Sequence, residues 1–172
     1  GIRGKLLLWF NSYLTDRYQS VVIKGAKSVQ KKIPQGVPQG SVLGPLLFLV
    51  FINDIVCNIQ STVKLFADDT SMSLALGNPI TRKEILQADL EKIEIWSKTW
   101  NVKFNESKTE LLNVFRGNVI AHDLTFGNAT LQPCNQHKHL GIILQSNCKW
   151  GSHTDSIVSK VGLLINCLRS YN

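Results

Sequence analysis

The 172-residue chain is 44% hydrophobic, enough to build a core and too apolar for a disordered segment. Nineteen basic against twelve acidic side chains give a net charge of +7, and seven of the basic ones (Arg3, Lys5, Arg17, Lys24, Lys27, Lys31 and Lys32) share residues 1–32 with Asp16 alone. That asymmetry fits a polyanionic partner such as a phosphate backbone, or a solvated basic face. The four cysteines, Cys57, Cys134, Cys148 and Cys167, form no CxxC pair and read as reduced thiols of an intracellular protein. The longest apolar run, 42–52, falls short of the ~20 residues of a membrane span, so no membrane partner is expected.

In chain order, 4–14 (GKLLLWFNSYL) reads as a helix. Two β-leaning stretches follow, 18–24 and 28–33, with Gly25-Ala26 as the turn between them. The segment 34–40 (PQGVPQG) holds two prolines and two glycines and must be irregular. Ser41 is the expected N-cap of a buried helix to about Ile55, with Pro45 in its first turn. Residues 63–76 read as two short strands with Asp68-Asp69 at the turn. A helix is predicted over 81–100 from a Thr81/Glu84 capping box and an apolar repeat of Leu86, Leu90, Ile93, Trp96 and Trp100. Strands are expected at 108–115, on either side of a Gly127-Asn128 turn, and at 139–144. A final helix over 155–168 aligns Ile157, Val161, Leu164, Ile165 and Leu168. The pattern predicts an α+β fold, an antiparallel sheet with helices packed on one face.

Three groups of residues could carry chemistry. Asp68-Asp69 sets two carboxylates side by side between apolar strands, where like charges resist burial and a divalent cation relieves them. The same pair also reads as a solvated turn. The 34–40 loop, with Gln35, Gln39 and its glycines, permits close backbone approach to a ligand or merely connects two elements. Cys134, His137, His139 and Cys148 invite a zinc reading, but their spacing matches no common zinc pattern. Lys108 reads as a phosphate contact or as a surface lysine.

The ordered set QGVPQGSVLGPLLFLVFINDI (35–55), LFADDTSM (65–72), WSKTWNVKFNESKTELLNVF (96–115) and HKHLGIIL (137–144) resembles the reverse transcriptases of non-LTR (LINE-like) retrotransposons. The opening 25 residues resemble the stretch after that family's first catalytic motif. The resemblance implies a polymerase palm over 1–145, carrying motifs B to E, with the thumb beginning at 146–172. It implies an RNA-directed DNA polymerase that adds dNTPs to a DNA primer on an RNA template, using two Mg²⁺ ions. Asp68 would be a direct metal ligand and Asp69 a secondary ligand or electrostatic support. Pro38, Gln39, Gly40 and Ser41 would lie at the template and incoming nucleotide, and Lys108 at the triphosphate. His139, Leu140 and Gly141 would support the primer end.

One departure stands out. The family carries a further catalytic aspartate upstream, in a D-x-x-x-A-F-D-like motif, and the only acid before Asp54 here is Asp16. The expectation is a palm truncated at the N-terminus that needs a missing upstream polyprotein segment and is inactive alone. The alternative is a decayed or repurposed nucleic-acid-binding fragment without chemistry. The family's life cycle implies the nucleus or cytoplasm, and no targeting signal is visible.

Overall fold

The computed structural model describes residues 1–75, 79–114 and 123–170. Helices and strands are mixed, as expected of an α+β chain. They divide into two compact units, Gly1–Cys57 with Lys64–Ser71, and Asn58–Val63 with Met72–Asn172.

The first unit opens with α1 (Gly4–Leu14), where predicted. Its apolar side chains Leu6, Leu7, Leu8 and Trp9 remain exposed. Trp9 stacks on Tyr13 along the helix, with ring centroids 5.2 Å apart. A long two-stranded ribbon follows, made of β1 (Arg17–Gln19), β2 (Val22–Ile23), β3 (Ala26–Lys27) and β4 (Lys31–Ile33). β1 pairs antiparallel with β4, Gln19 opposite Lys31, and β2 with β3, Val22 opposite Lys27. Val21 and Ser28 continue the inner ladder. Ser20 therefore faces two residues, Val29 and Gln30, and the ribbon carries a bulge there. The turn is Lys24-Gly25, one residue earlier than expected, because both residues adopt positive φ (49° and 83°) and so match the twist of the strands.

The 34–40 loop is irregular, as its composition requires. Helix α2 (Leu43–Ile52) and a 3₁₀ turn (Asn53–Val56) follow. The backbone cap of α2 falls on Val42, one residue past the expected Ser41, yet the Ser41 hydroxyl does accept the Gly44 N–H at 3.0 Å. The helix is less buried than its sequence implied, with only Gly44 and Ile52 inside. A helix apolar all round needs neighbours on every side to be covered. Next, β5 (Thr62–Phe66) pairs with β6 (Asp69–Ser73) through Ala67-Asp68; Leu76, the end of the expected second strand, lies outside the described residues.

The second unit is built on α3 (Pro79–Trp100). It starts two residues before Thr81, which is therefore inside the helix and not its cap; proline is well suited to a first turn because its missing N–H has no partner to lose there. The strand expected from Lys108 is instead a 3₁₀ turn, Glu106–Lys108, followed by the short β7 (Leu111–Leu112). The Lys108 N–H donates to the Asn105 carbonyl at 3.0 Å, which closes that turn; Phe115 lies outside the described residues. The hairpin β8 (Leu124–Phe126) and β9 (Ala129–Leu131) turns at Gly127-Asn128 as predicted. β10 (Pro133–Cys134) pairs parallel with β7. The single strand expected at 139–144 is a hairpin, β11 (Gln136–His139) and β12 (Ile142–Gln145), because Leu140-Gly141 takes positive φ (48° and 85°) and reverses the chain. Helix α4 (Gly151–Arg169) is longer than the apolar repeat that announced it.

Among the described residues the strands pair two by two, and the β7–β10 pair is parallel, so the expected single antiparallel sheet is not assembled there. The second unit holds Ile93, Leu124, Phe126 and Leu131 buried together with Ser61 and Asp89. Ring centroids of Phe104 and Phe126 meet edge-on at 5.6 Å.

Candidate active site

The carboxylate pair sits where two strands reverse. Ala67 has φ 51°, in the region an alanine enters at a cost of about 1–2 kcal/mol. Asp68 completes the connection and Asp69 begins β6. Both aspartates are exposed, and among the described residues neither is engaged by a hydrogen bond or an ion pair. Hard oxygen donors in that state suit Mg²⁺, which takes one or two protein carboxylates and completes its shell with water and phosphate. Among the described residues no three His, Cys, Asp or Glu side chains gather into a metal site, which also leaves the Cys134, His137, His139 and Cys148 set without support.

The loop of 34–40 belongs to the same unit and is fastened at two points. The Arg17 guanidinium donates from Nη2 to the Gln35 carbonyl at 3.4 Å and to the Gly36 carbonyl, while its Nε donates to the Leu14 carbonyl at 3.0 Å. At the other point the Ser41 hydroxyl donates to the Pro38 carbonyl at 2.7 Å and caps Gly44. Gly44 has no room for a side chain, since a Cβ would come 2.6 Å from the Pro38 oxygen. Between these fastenings Gln39 and Gly40 are exposed, and Gly40 has φ 77°.

Two of the seven N-terminal cations are already committed. Arg17 is spent on backbone carbonyls, and Lys32 pairs with Asp16 at 2.9 Å across the base of the ribbon. Asp16, exposed and paired, is no hidden substitute for the upstream acid.

Lys108, His139, Leu140 and Gly141 lie in the second unit. Lys108 is exposed at the end of its 3₁₀ turn. His139 ends β11, and Leu140-Gly141 forms an exposed turn. The neighbouring His137 meets Glu110 at 2.6 Å. Burial first, and the Glu110 charge second, push the Cys134 thiol up from its ordinary pKa.

The group that sequence reasoning missed is Asp89, fully buried on α3. It accepts the Gln60 N–H at 3.0 Å, the Ser61 N–H at 2.8 Å, the Ser61 hydroxyl at 2.7 Å and the Lys92 ammonium at 3.0 Å. Lys92 also donates to the Asn58 carbonyl at 2.6 Å. Burial alone would raise the Asp89 pKa, but the combined hydrogen bonds from Ser61, Lys92 and Gln60 hold it below the ordinary value. A signal was present: Asp89 stands three residues after Leu86 and four before Ile93, on the apolar stripe, where a solvated charge does not belong.

Comparison with known proteins supplies the family. The profile of "Reverse transcriptase (RNA-dependent DNA polymerase)" matches residues 1–144. The chain belongs to the reverse transcriptase family. This reverse transcriptase segment is 29% identical over 161 residues to the RNA-directed DNA polymerase from mobile element jockey of Drosophila melanogaster, covering 89% of this chain and 18% of that protein. It is 30% identical over 152 residues to the probable RNA-directed DNA polymerase from transposon BS of the same species, covering 83% and 17%. It is 23% identical over 147 residues to the retrovirus-related Pol polyprotein from type-1 retrotransposable element R1 of Bradysia coprophila, covering 82% and 14%. The chain thus spans less than a fifth of the length of these relatives. No solved structure matches it. Among the described residues no helix is long and apolar enough to cross a membrane.

Proposed function

We propose that residues 1–145 are part of the palm of an RNA-directed DNA polymerase and that 146–172 begin its thumb, the whole protein adding dNTPs to a DNA primer on an RNA template. One observation carries this reading: two unengaged carboxylates stand on the exposed turn of a strand pair, inside a chain that the reverse transcriptase profile matches over residues 1–144. Asp68 and Asp69 would hold Mg²⁺, with Asp68 the direct ligand. Bound there, the ions supply the positive charge that stabilises the attacking and leaving oxygens of nucleotidyl transfer.

The chain's own residues have distinct tasks. Gln39 and Gly40, flanked by Pro38 and Ser41, bind the template and incoming nucleotide, and a glycine at position 40 lets the backbone approach them closely. Lys108 neutralises charge at the triphosphate. His139, Leu140 and Gly141 support the primer end from the turn of their hairpin. The family's additional carboxylate has no counterpart among these 172 residues, so the isolated chain should not extend a primer.

Asp68→Asn tests the assignment in a chain lengthened upstream to include that carboxylate. Primer extension should be abolished while template binding stays nearly intact; retained extension would move the metal site elsewhere. A lengthened chain that binds a template–primer duplex but never extends it, even with Asp68 present, would favour a repurposed binding fragment.

A further inference from the structure

Arg17 invites reading as one more phosphate-binding cation, and its surroundings contradict that. Arg17 is half-buried, and every donor with an assigned partner goes to a main-chain carbonyl: Leu14 at the end of α1, and Gln35 and Gly36 at the start of the loop. Guanidinium alone among side chains offers rigidly spaced donors that reach two chain segments at once, where an ammonium concentrates its charge at one point. Gly36 needs the fastening most, because its φ of 84° lies in a region that a glycine can enter and leave with little restraint. The second fastening, Ser41 between the Pro38 carbonyl and the Gly44 N–H, closes the loop from the other side. Gln39 and Gly40, both exposed, lie between the two fastenings.

We infer that Arg17 is a positioning residue for the template- and nucleotide-binding loop: it fixes the 35–36 backbone against the end of α1 so that Gln39 and Gly40 are held ready for a nucleic-acid strand. Pre-ordering of this kind removes part of the entropic cost of binding. The inference deepens the proposed function and rests on it for the identity of the ligand, but not for the fastening itself.

Two measurements on the 172-residue chain separate these dependencies. The first is ¹⁵N relaxation of Gly36 and Gly40 in wild type, Arg17→Lys and Arg17→Gln. Order parameters should fall from the rigid range near 0.85 to below about 0.6 in both variants. Unchanged values in variants that melt like wild type overturn the inference. The second is binding of an RNA–DNA template–primer duplex across a salt series. Loss of hydrogen bonds to a charged donor predicts roughly tenfold weaker binding in both variants, with the salt slope of wild type retained. Rescue by Arg17→Lys, or a slope reduced by roughly the 0.9 log unit that one phosphate contact contributes, would make Arg17 a direct contact and overturn the positioning role. Should Arg17→Gln unfold, Arg17→Lys retains the stem and charge and decides alone. A wild-type chain that fails to bind the duplex counts against the proposed function, while the relaxation measurement still decides the fastening.

Discussion

The two units handle polar groups in opposite ways. In the first, the carboxylates of Asp68 and Asp69 stand unengaged in solvent, the loop is held by single side chains, and α1 and α2 leave Leu6, Leu7, Leu8, Trp9, Leu46, Leu49 and Val50 exposed. In the second, a carboxylate is fully buried with several donors arranged around it, among Ile93, Leu124, Phe126 and Leu131. Ligand-binding groups must stay available and so gain little from burial; a buried charge is kept only where its partners are fixed. The contrast gives Asp89 a stabilising role and leaves Asp68 and Asp69 available for the metal proposed there, although all three are aspartates within 22 positions of one another.

The largest effect that could break this contrast is at Asp89. Asp89→Ala leaves the Gln60 and Ser61 donors and the Lys92 charge without their acceptor, and should destabilise the chain by about 3–5 kcal/mol, read as a loss in urea midpoint. A change below about 1 kcal/mol, the size of an exposed pair, would erase the distinction between the units. The pH dependence follows in sign. Asp89 has a folded pKa below its ordinary 3.8, so its contribution is present above about that pH and is lost as pH falls through the lower folded value. Acid unfolding below pH 4 should therefore be blunted in Asp89→Asn relative to wild type.

Next in size is Gly44→Ala, whose Cβ would meet the Pro38 carbonyl oxygen at 2.6 Å. Because that obstacle is backbone, overpacking should cost about 1–3 kcal/mol and weaken duplex binding through the loop. Equal stability loss with unchanged duplex affinity would detach the loop from the site. Gly127→Ala should cost less, about 1–2 kcal/mol from the left-handed φ of 59° alone. The atom its Cβ would strike, Glu106 Oε1, ends a flexible side chain and can move aside. Thermal melting distinguishes the two glycines. Smallest is Asp16→Asn, which removes an exposed pair with Lys32 and should change stability by less than about 0.5 kcal/mol.

Local chemistry was legible and longer-range pairing was not. The helix at 4–14, the carboxylates at a reversal and the Gly127-Asn128 turn all follow from patterns within a few residues. Leu140-Gly141 was missed because leucine is a poor turn former, so HLGIIL reads as an unbroken strand until its backbone is seen to reverse. Thr81 and Glu84 imitate a capping box inside a helix that proline had already started. The parallel pairing of β7 with β10 joins residues about 20 apart, a distance at which no local pattern acts. Arg17 was counted as a charge, since composition cannot tell a guanidinium aimed at solvent from one aimed at carbonyls. The roles proposed for Asp68, Gln39 and Lys108 rest on the order of motifs, not on any single residue.

Gln87 carries one more consequence. In the β8–β9 hairpin, Phe126 pairs with Ala129 next to the turn, so the N–H and C=O of Thr125, one position along, point away from β9. The Gln87 amide meets both, accepting the Thr125 N–H at 2.9 Å and donating to the Thr125 carbonyl at 3.2 Å. A single side chain thus imitates the next strand of a ladder. An open strand margin is where polypeptides recruit one another into aggregates, and this glutamine closes the margin from a helix, at the cost of one residue.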